Sequence, residues 1–577
     1  MSEDIKKEYI SDPNRITYMG NIDYRNKMVK FGIKAKDRTK HMYVIGKSGM
    51  GKSTLLENMA IQDIQNGEGV AFIDPHGGTA EKLLDFVPEE RKKDVIYFAP
   101  FDTEYPVALN VLEKVDISKR HLVANGLMAA FKKVFGEDKF SDRMQYILNN
   151  IILTLLENDD ETLIGINRIL SDKEYRKKMV NNVQDPSIRS FWLEEFAKAG
   201  EKYQQEAAPA IQNKIGQFTS NPLIRNIIGQ KRTSFDIREI MDQRKILIMN
   251  LSKGKMGEGN ANLIGSLLIT KIYLAAMSRA DVDPYELDKL PPFYFYVDEF
   301  QNFANDSFAQ ILSEARKYQL ALTVAHQYVD QMTEEVKAAI FGNIGTMVTF
   351  RVGATDAQIF EKEFAPTFSA DDIVNLSAFQ MYLRLMIDSV GSKPFSARGL
   401  PPIQKPDISF SEEIVEYSRH QYGKKKEEVE KEIGDWYTPV FKKENEGEAN
   451  FSSQENKQRE FKEYKKEDRD NRNKFQNVDR KEGESGRNNP RIRSKRREND
   501  INNVNISKIR EGAEKAKEEL KSNHTSLKDA LEKAMKDEQV RRETVIIEKE
   551  VKVQDIPKED KMKEVPEKVL RNLVDEE

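Results

Sequence analysis

The chain contains no cysteine. Disulfides, thiolate zinc sites and cysteine nucleophiles are therefore excluded, and the composition fits a reducing compartment. Long apolar runs are also missing. The richest, "YILNNIILTLLEN" at 146–158, is broken by asparagines and falls short of the roughly 18 residues that suggest a membrane span. The opening "MSEDIKKEYISDPNRI" has no apolar core, so it is not a signal peptide. Neither sign of charge dominates: 92 Lys and Arg stand against 96 Asp and Glu, for a net −4. No global basic field advertises nucleic acid, and any DNA contact has to be local. The histidines show no metal-ligand spacing with acids, which predicts no zinc centre.

What is present is length and polarity. The 577 residues are 38% hydrophobic and 33% charged, too polar for a single globule throughout. Residues 15–40 alternate enough to suggest strands that lead into the main fold, over about 1–40. Short apolar runs then recur at 42–46, 70–74, 95–99, 246–251, 293–298, 321–325 and 346–352. They are rich in β-branched and aromatic residues, as strands buried on both faces are. Helical patterns between them imply a parallel sheet covered by helices, an α/β domain over 41–114 and 236–400. Between the third and fourth runs, 115–235 offers no strand pattern. There Ser141 is a candidate N-cap, followed by Met144, Ile147, Leu148, Ile151 and Leu155 at helical spacing. This block reads as an inserted all-α domain. From 410 to 577, Lys, Glu, Arg, Asn and Asp dominate, and the expectation is a charged, largely disordered tail. Its cluster "RIRSKRR" at 491–497 is either a solvated charge run or a contact for DNA or an acidic partner.

Two motifs carry chemistry. "GKSGMGKST" runs from Gly46 through Lys47, Ser48, Gly49, Met50, Gly51, Lys52 and Ser53 to Thr54. Its glycines let successive backbone N–H groups converge on phosphate oxygens. Lys52 reaches the β and γ phosphates of a nucleotide, the Ser53 hydroxyl ligates Mg²⁺, and the helix that follows presents its positive end. "FYFYVDEF" at 293–300 ends an apolar strand in two acids, which are costly there unless they face a site at the strand's carboxyl end. Asp298 is expected to hold Mg²⁺ and Glu299 to orient the attacking water. "FIDPHGG" at 72–78 places Asp74 and His76 on a loop at the same edge, either as part of the site or as a simple Pro-Gly turn.

In order, "VIGKSGMGKST", "FIDPHG", "FYFYVDEFQNF", "EARKYQLALTVAHQ" and "IFGNIGTMVTFRVG" resemble the HerA/FtsK superfamily of RecA-like motor ATPases. Within it they are most similar to the conjugative coupling proteins of type IV secretion, the TraG/TraD type. The resemblance covers about 15–400. It implies a hexameric ring that uses ATP and Mg²⁺ to move DNA, or a relaxase–DNA complex, toward a secretion channel. It also implies that Gln327 senses the γ-phosphate, and that Arg316 reaches the neighbouring subunit's site in trans. Asn343 and Arg351 are weaker candidates for the same site. Coupling proteins usually carry N-terminal membrane helices, whereas about 45 residues precede the phosphate loop here. The expectation is thus a cytoplasmic chain, peripheral at the inner face of the cell membrane, which contacts that membrane through another protein. A soluble HerA-like repair translocase and a scaffold that recruits secretion cargo are the alternatives.

Overall fold

In the computed structural model, the described residues are 12–24, 27–198, 200–304 and 306–437. The cluster at 491–497, and most of the stretch expected to be a tail, lie outside them. The strands are β1 (Ile16–Tyr24), β2 (Lys27–Lys34), β3 (Met42–Ile45), β4 (Gly69–Asp74), β5 (Val95–Phe98), β6 (Ile246–Asn250), β7 (Phe293–Val297), β8 (Leu320–His326), β9 (Thr346–Thr349), β10 (Gln380–Arg384), β11 (Met386–Ile387), β12 (Val390–Gly391) and β13 (Phe395–Gly399). Eleven of them form one sheet in the order β2-β1-β13-β10-β9-β3-β8-β7-β4-β6-β5. From β9 to β5 every pairing is parallel, while β10, β13, β1 and β2 extend the sheet antiparallel.

The apolar runs form strands because both faces of the sheet are covered. Along β7, Phe293, Phe295 and Val297 enter one core while Tyr294 and Tyr296 enter the other. Strand period alone produces this split. Helix Lys52–Gln65 lines one face with Leu55, Leu56, Met59 and Ile64. On the other face lies helix Glu258–Met277, which packs against helix Arg120–Phe135. The segment Glu258–Asp281 is long and apolar enough to cross a membrane, but 61% of its most apolar window is buried inside the protein. It is apolar all round because it is sandwiched in the core.

Between β5 and β6 the described residues form helices and no strand. Ser141 does cap its helix, accepting the Met144 N–H at 3.3 Å, and the helix buries Ile147, Leu148, Ile151 and Leu155. These side chains join the same continuous core as the sheet face, so the helical block is packed onto the sheet without a separate core of its own.

Two differences from the sequence expectation concern the end of the fold. β10 and β13 were not anticipated. They sit at a half-covered end of the sheet, where only alternate residues such as Met381, Leu383 and Ala397 are buried. A tail beginning at 410 is corrected by helices Ser411–Tyr422 and Lys426–Tyr437. Their few buried residues recur four apart: Ile414 with Ser418, and Val429 with Ile433. The Ser418 hydroxyl accepts the Tyr97 N–H at 2.9 Å, so the first of these helices covers the edge strand β5 and satisfies its backbone.

One polar cluster lies inside the second core. Arg38 donates to both carboxylate oxygens of Asp63 at 2.6 and 2.8 Å, and the Tyr296 hydroxyl donates to Asp63 at 2.6 Å. The guanidinium also lies over the Tyr294 ring at 3.7 Å. Burial opposes the Arg38 charge, but Asp63, Tyr296 and Tyr294 together outweigh it and raise its pKa. Breaking such a pair strands a buried charge. Asp63→Ala is expected to lower unfolding free energy by about 3–5 kcal/mol, whereas Arg38→Met with Asp63→Leu recovers most of that loss. Chemical denaturation of the three proteins measures both effects.

Candidate active site

The parallel order sets the site. β8 lies between β3 and β7, so their carboxyl ends bring the phosphate loop, Gln327 and the acidic pair to one edge. After β3 the loop is pinned by its neighbours: Gly46 N–H donates to His326 O at 3.4 Å and Lys47 N–H to Arg351 O at 2.8 Å. Gly49 and Gly51 adopt φ of 76° and 116°, a region that side chains disfavour. A Cβ on Gly46 would come within 2.6 Å of Phe350 Cβ, so the loop needs glycine there for close approach. The tip residues Lys47, Ser48 and Gly49 are exposed, whereas Lys52 is buried.

Lys52 starts the helix and turns its ammonium back over the loop, donating to Gly46 O at 2.7 Å and Lys47 O at 3.3 Å. Burial lowers its pKa, against the pull of Glu299 and Asp298. Ser53 Oγ donates to Asp298 Oδ2 at 2.9 Å. The Asp298 carboxyl is pushed up chiefly by burial; the Ser53 bond opposes this, and Glu299 and Asp74 add to it. Two hard oxygens thus sit side by side at the foot of the loop, as Mg²⁺ requires.

Glu299 is buried and adopts a left-handed φ of 45°, an uncommon geometry for a residue with a side chain. Its Oε1 accepts Gln327 Nε2 at 2.7 Å and its Oε2 accepts Gln301 Nε2 at 2.6 Å. Asn302 Nδ2 donates to the Glu299 carbonyl at 2.8 Å, and Lys253 Nζ donates to Asn302 Oδ1 at 2.6 Å. Gln301, Asn302 and the Phe350 and Phe379 rings beside Gly51 were missed from the sequence. Neutral amides and lone aromatics carry no motif; only the place of Gln301 and Asn302 directly after the acidic pair could have marked them.

The weaker candidates separate. Asp74 accepts the His76 and Ala80 backbone N–H groups at 2.8 and 2.9 Å, so it closes a turn, and His76 is exposed. The turn reading therefore fits this pair, although the Asp74 charge still raises the Asp298 pKa. Arg351 lies beside the phosphate loop and contributes its carbonyl. Asn343 does not lie beside that loop. It ends helix Glu334–Asn343 ahead of β9, at the amino edge of the sheet, and its side chain donates to Ala339 O at 2.9 Å. Arg316 is also at the amino edge, ahead of β8, exposed. It makes no side-chain hydrogen bond or ion pair with the described residues, and its charge helps burial hold the His41 pKa down at about 4.

Residues 26–382, more than half of the chain, match the type IV secretion-system coupling protein DNA-binding domain. The chain belongs to that coupling protein family. No curated protein sequence matches this coupling protein. Similar solved structures include the bacterial conjugative coupling protein TrwBdeltaN70, at 14% identity and TM-score 0.48, over 65% of this chain and 88% of that one. TrwB with the non-hydrolysable GTP analogue GDPNP is 14% identical at TM-score 0.49, over 66% and 90%. VirB4 of Thermoanaerobacter pseudethanolicus is 13% identical at TM-score 0.43, over 68% and 98%.

Gly51→Ala tests the loop geometry. A Cβ there is strained at φ 116° and meets Phe350 and Phe379 at 3.2 Å, so nucleotide affinity is expected to fall about tenfold or more, roughly the effect of 1–3 kcal/mol of backbone strain. Fluorescent nucleotide titration, with the thermal midpoint as a control for folding, measures it.

Proposed function

We propose that this coupling protein is an ATPase whose sites are completed between subunits of a ring, and which uses hydrolysis to move DNA, or a relaxase–DNA complex, toward a secretion channel. The observation that carries the ATPase reading is the convergence, on three adjacent strand ends, of Ser53 with Asp298 and of Gln327 with Glu299. Backbone N–H groups of residues 46–54 receive the phosphates. Lys52 exchanges its loop carbonyls for β and γ oxygens, and Ser53 with Asp298 would hold Mg²⁺. When bound, that ion would supply charge neutralisation for the phosphates. Glu299 accepts a hydrogen bond from the attacking water and aligns it, giving ADP and phosphate. Gln327 links Glu299 to β8 and reports whether a γ-phosphate is present.

Arg316 cannot serve its own subunit's loop. It precedes the seven-residue β8, which at about 3.3 Å per residue puts it roughly 20 Å from the carboxyl edge. An exposed guanidinium with no partner among the described residues suits the neighbour's transferring phosphoryl group, whose spreading charge it stabilises. Asn343 shares that edge. A hexamer contacting DNA, with membrane contact through another protein, follows from this reading.

ATPase assays with and without single- and double-stranded DNA test it. Lys52→Ala and Glu299→Gln are each expected to lower turnover by about 10²-fold or more. Arg316→Ala subunits mixed with Lys52→Ala subunits recover part of the lost activity, because each supplies the half-site the other lacks. No recovery in rings verified as mixed rejects the trans role, and a wild-type chain without ATPase rejects the whole reading.

A further inference from the structure

We infer that Gln301 is a positioning residue for ATP hydrolysis, holding Oε2 of Glu299 while Gln327 holds Oε1, so that the carboxylate meets the attacking water in one fixed orientation. This rests on the ATPase reading above.

The chain makes the contact possible by its turn. Glu299 leaves β7 with a left-handed φ of 45°, and the short helical turn Phe300–Asn302 follows at once. That turn is already secured without Gln301. Asn302 donates to the Glu299 carbonyl through both its backbone N–H at 3.0 Å and its side-chain Nδ2 at 2.8 Å. Lys253 then holds Asn302 at 2.6 Å from the segment after β6. Gln301 is therefore not needed to close the turn.

Its side chain has one hydrogen-bonding partner among the described residues, Glu299, at 2.6 Å. An ionised carboxylate only accepts, so the amide must face Oε2 with its NH₂ group. Gln301 Oε1 is left shielded from solvent and without a protein partner, an arrangement that costs about 1–3 kcal/mol. A glutamine serving packing alone gains nothing from stranding its acceptor in this way. This one engages Glu299 with its donor and nothing with its acceptor.

The consequence is orientation. With one amide on each oxygen, from β8 and from the turn after β7, rotation of the Glu299 carboxylate is blocked in both senses. Release of either amide leaves the other as a pivot. Hydrolysis depends on alignment of water, carboxylate and γ-phosphate, and displacement by about 1 Å can cost 10²-fold. Gln301 does not contact residues 46–54 through any side-chain hydrogen bond, so its loss acts on turnover and not on nucleotide capture.

Steady-state ATPase of the full chain tests this with Gln301→Leu and Gln301→Glu, which keep the size of the side chain but remove the donor. Each is expected to lower kcat roughly 10- to 100-fold, with KM for ATP within about twofold and the thermal midpoint retained. Gln301→Asn, which keeps the amide on a shorter stem, recovers part of the rate. In a Glu299→Gln background, Gln301→Leu is expected to change the residual single-turnover rate by less than about twofold, since residues that act as a unit are not additive. The inference is overturned if an active wild type tolerates both substitutions with kcat within about twofold, or if Gln301→Leu loses the same factor with and without Glu299. A wild type lacking Lys52-dependent ATPase overturns the ATPase reading and this inference with it.

Discussion

A buried ion pair beneath the phosphate-loop helix fixes the geometry of the carboxyl edge. Asp63, late in helix Lys52–Gln65, is chelated by Arg38 and receives the hydroxyl of Tyr296 from β7. At the other end of the same helix, Ser53 donates to Asp298, which follows β7 directly. The helix is thus pinned to one strand at both ends, by charge inside the core and by a hydroxyl at the surface. Apolar packing alone allows small slides of a helix over a sheet. A bidentate guanidinium–carboxylate pair with a phenol on the same oxygen does not, because any displacement leaves a buried charge unmatched. The distance between phosphate loop and acidic pair is therefore set by the interior of the protein and does not await a ligand.

That frame explains the charge pattern above it. Lys52 is desolvated and its pKa falls; Asp298 is desolvated and its pKa rises. Each shift weakens the charged form of its group at the foot of the phosphate loop. His326, at the end of β8, is held neutral, with its pKa lowered to about 3 by burial and by Lys52, so the strand that carries Gln327 adds no further cation. The flexibility of Glu299 is removed by amides, which hold a carboxylate without neutralising it. β8 carries Gln327 at one end and begins directly after the turn that holds Arg316. A strand of seven residues, buried along its whole length, is a stiff connection between the carboxyl edge and the amino-edge turn that holds Arg316.

Much of this was legible in the sequence because the central strands are buried on both faces and read as unbroken apolar runs. All seven runs form strands, from β3 to β9. The phosphate loop and the acidic pair were legible because glycine spacing and two acids after an apolar strand have few other physical explanations. β10 and β13 were not, because one face is open and polar residues interrupt them. Helices Ser411–Tyr422 and Lys426–Tyr437 were hidden by their charge: a few buried positions four apart suffice to dock a helix, yet barely alter its composition. In the sequence Asp74 stays open between site and turn, because an acid at a strand end is ambiguous until its backbone partners are known. Asn343 looked close to the site because sequence proximity to β9 does not say which edge of the sheet a residue precedes. Gln301 left only its place just after the acidic pair, since its contact with Glu299 comes from the left-handed turn there.

The central claim is that one site is built from two subunits, with Glu299 oriented on one side and Arg316 supplied from the other. A structure of the assembled ring with Mg²⁺ and a non-hydrolysable ATP analogue tests it most directly. The account predicts the analogue's phosphates within residues 46–54, the metal on Ser53, Glu299 facing the γ-phosphate, and the adjoining subunit's Arg316 at that same phosphate. A ring in which Arg316 faces solvent, or in which the nucleotide lies away from the Ser53–Asp298 pair, contradicts it.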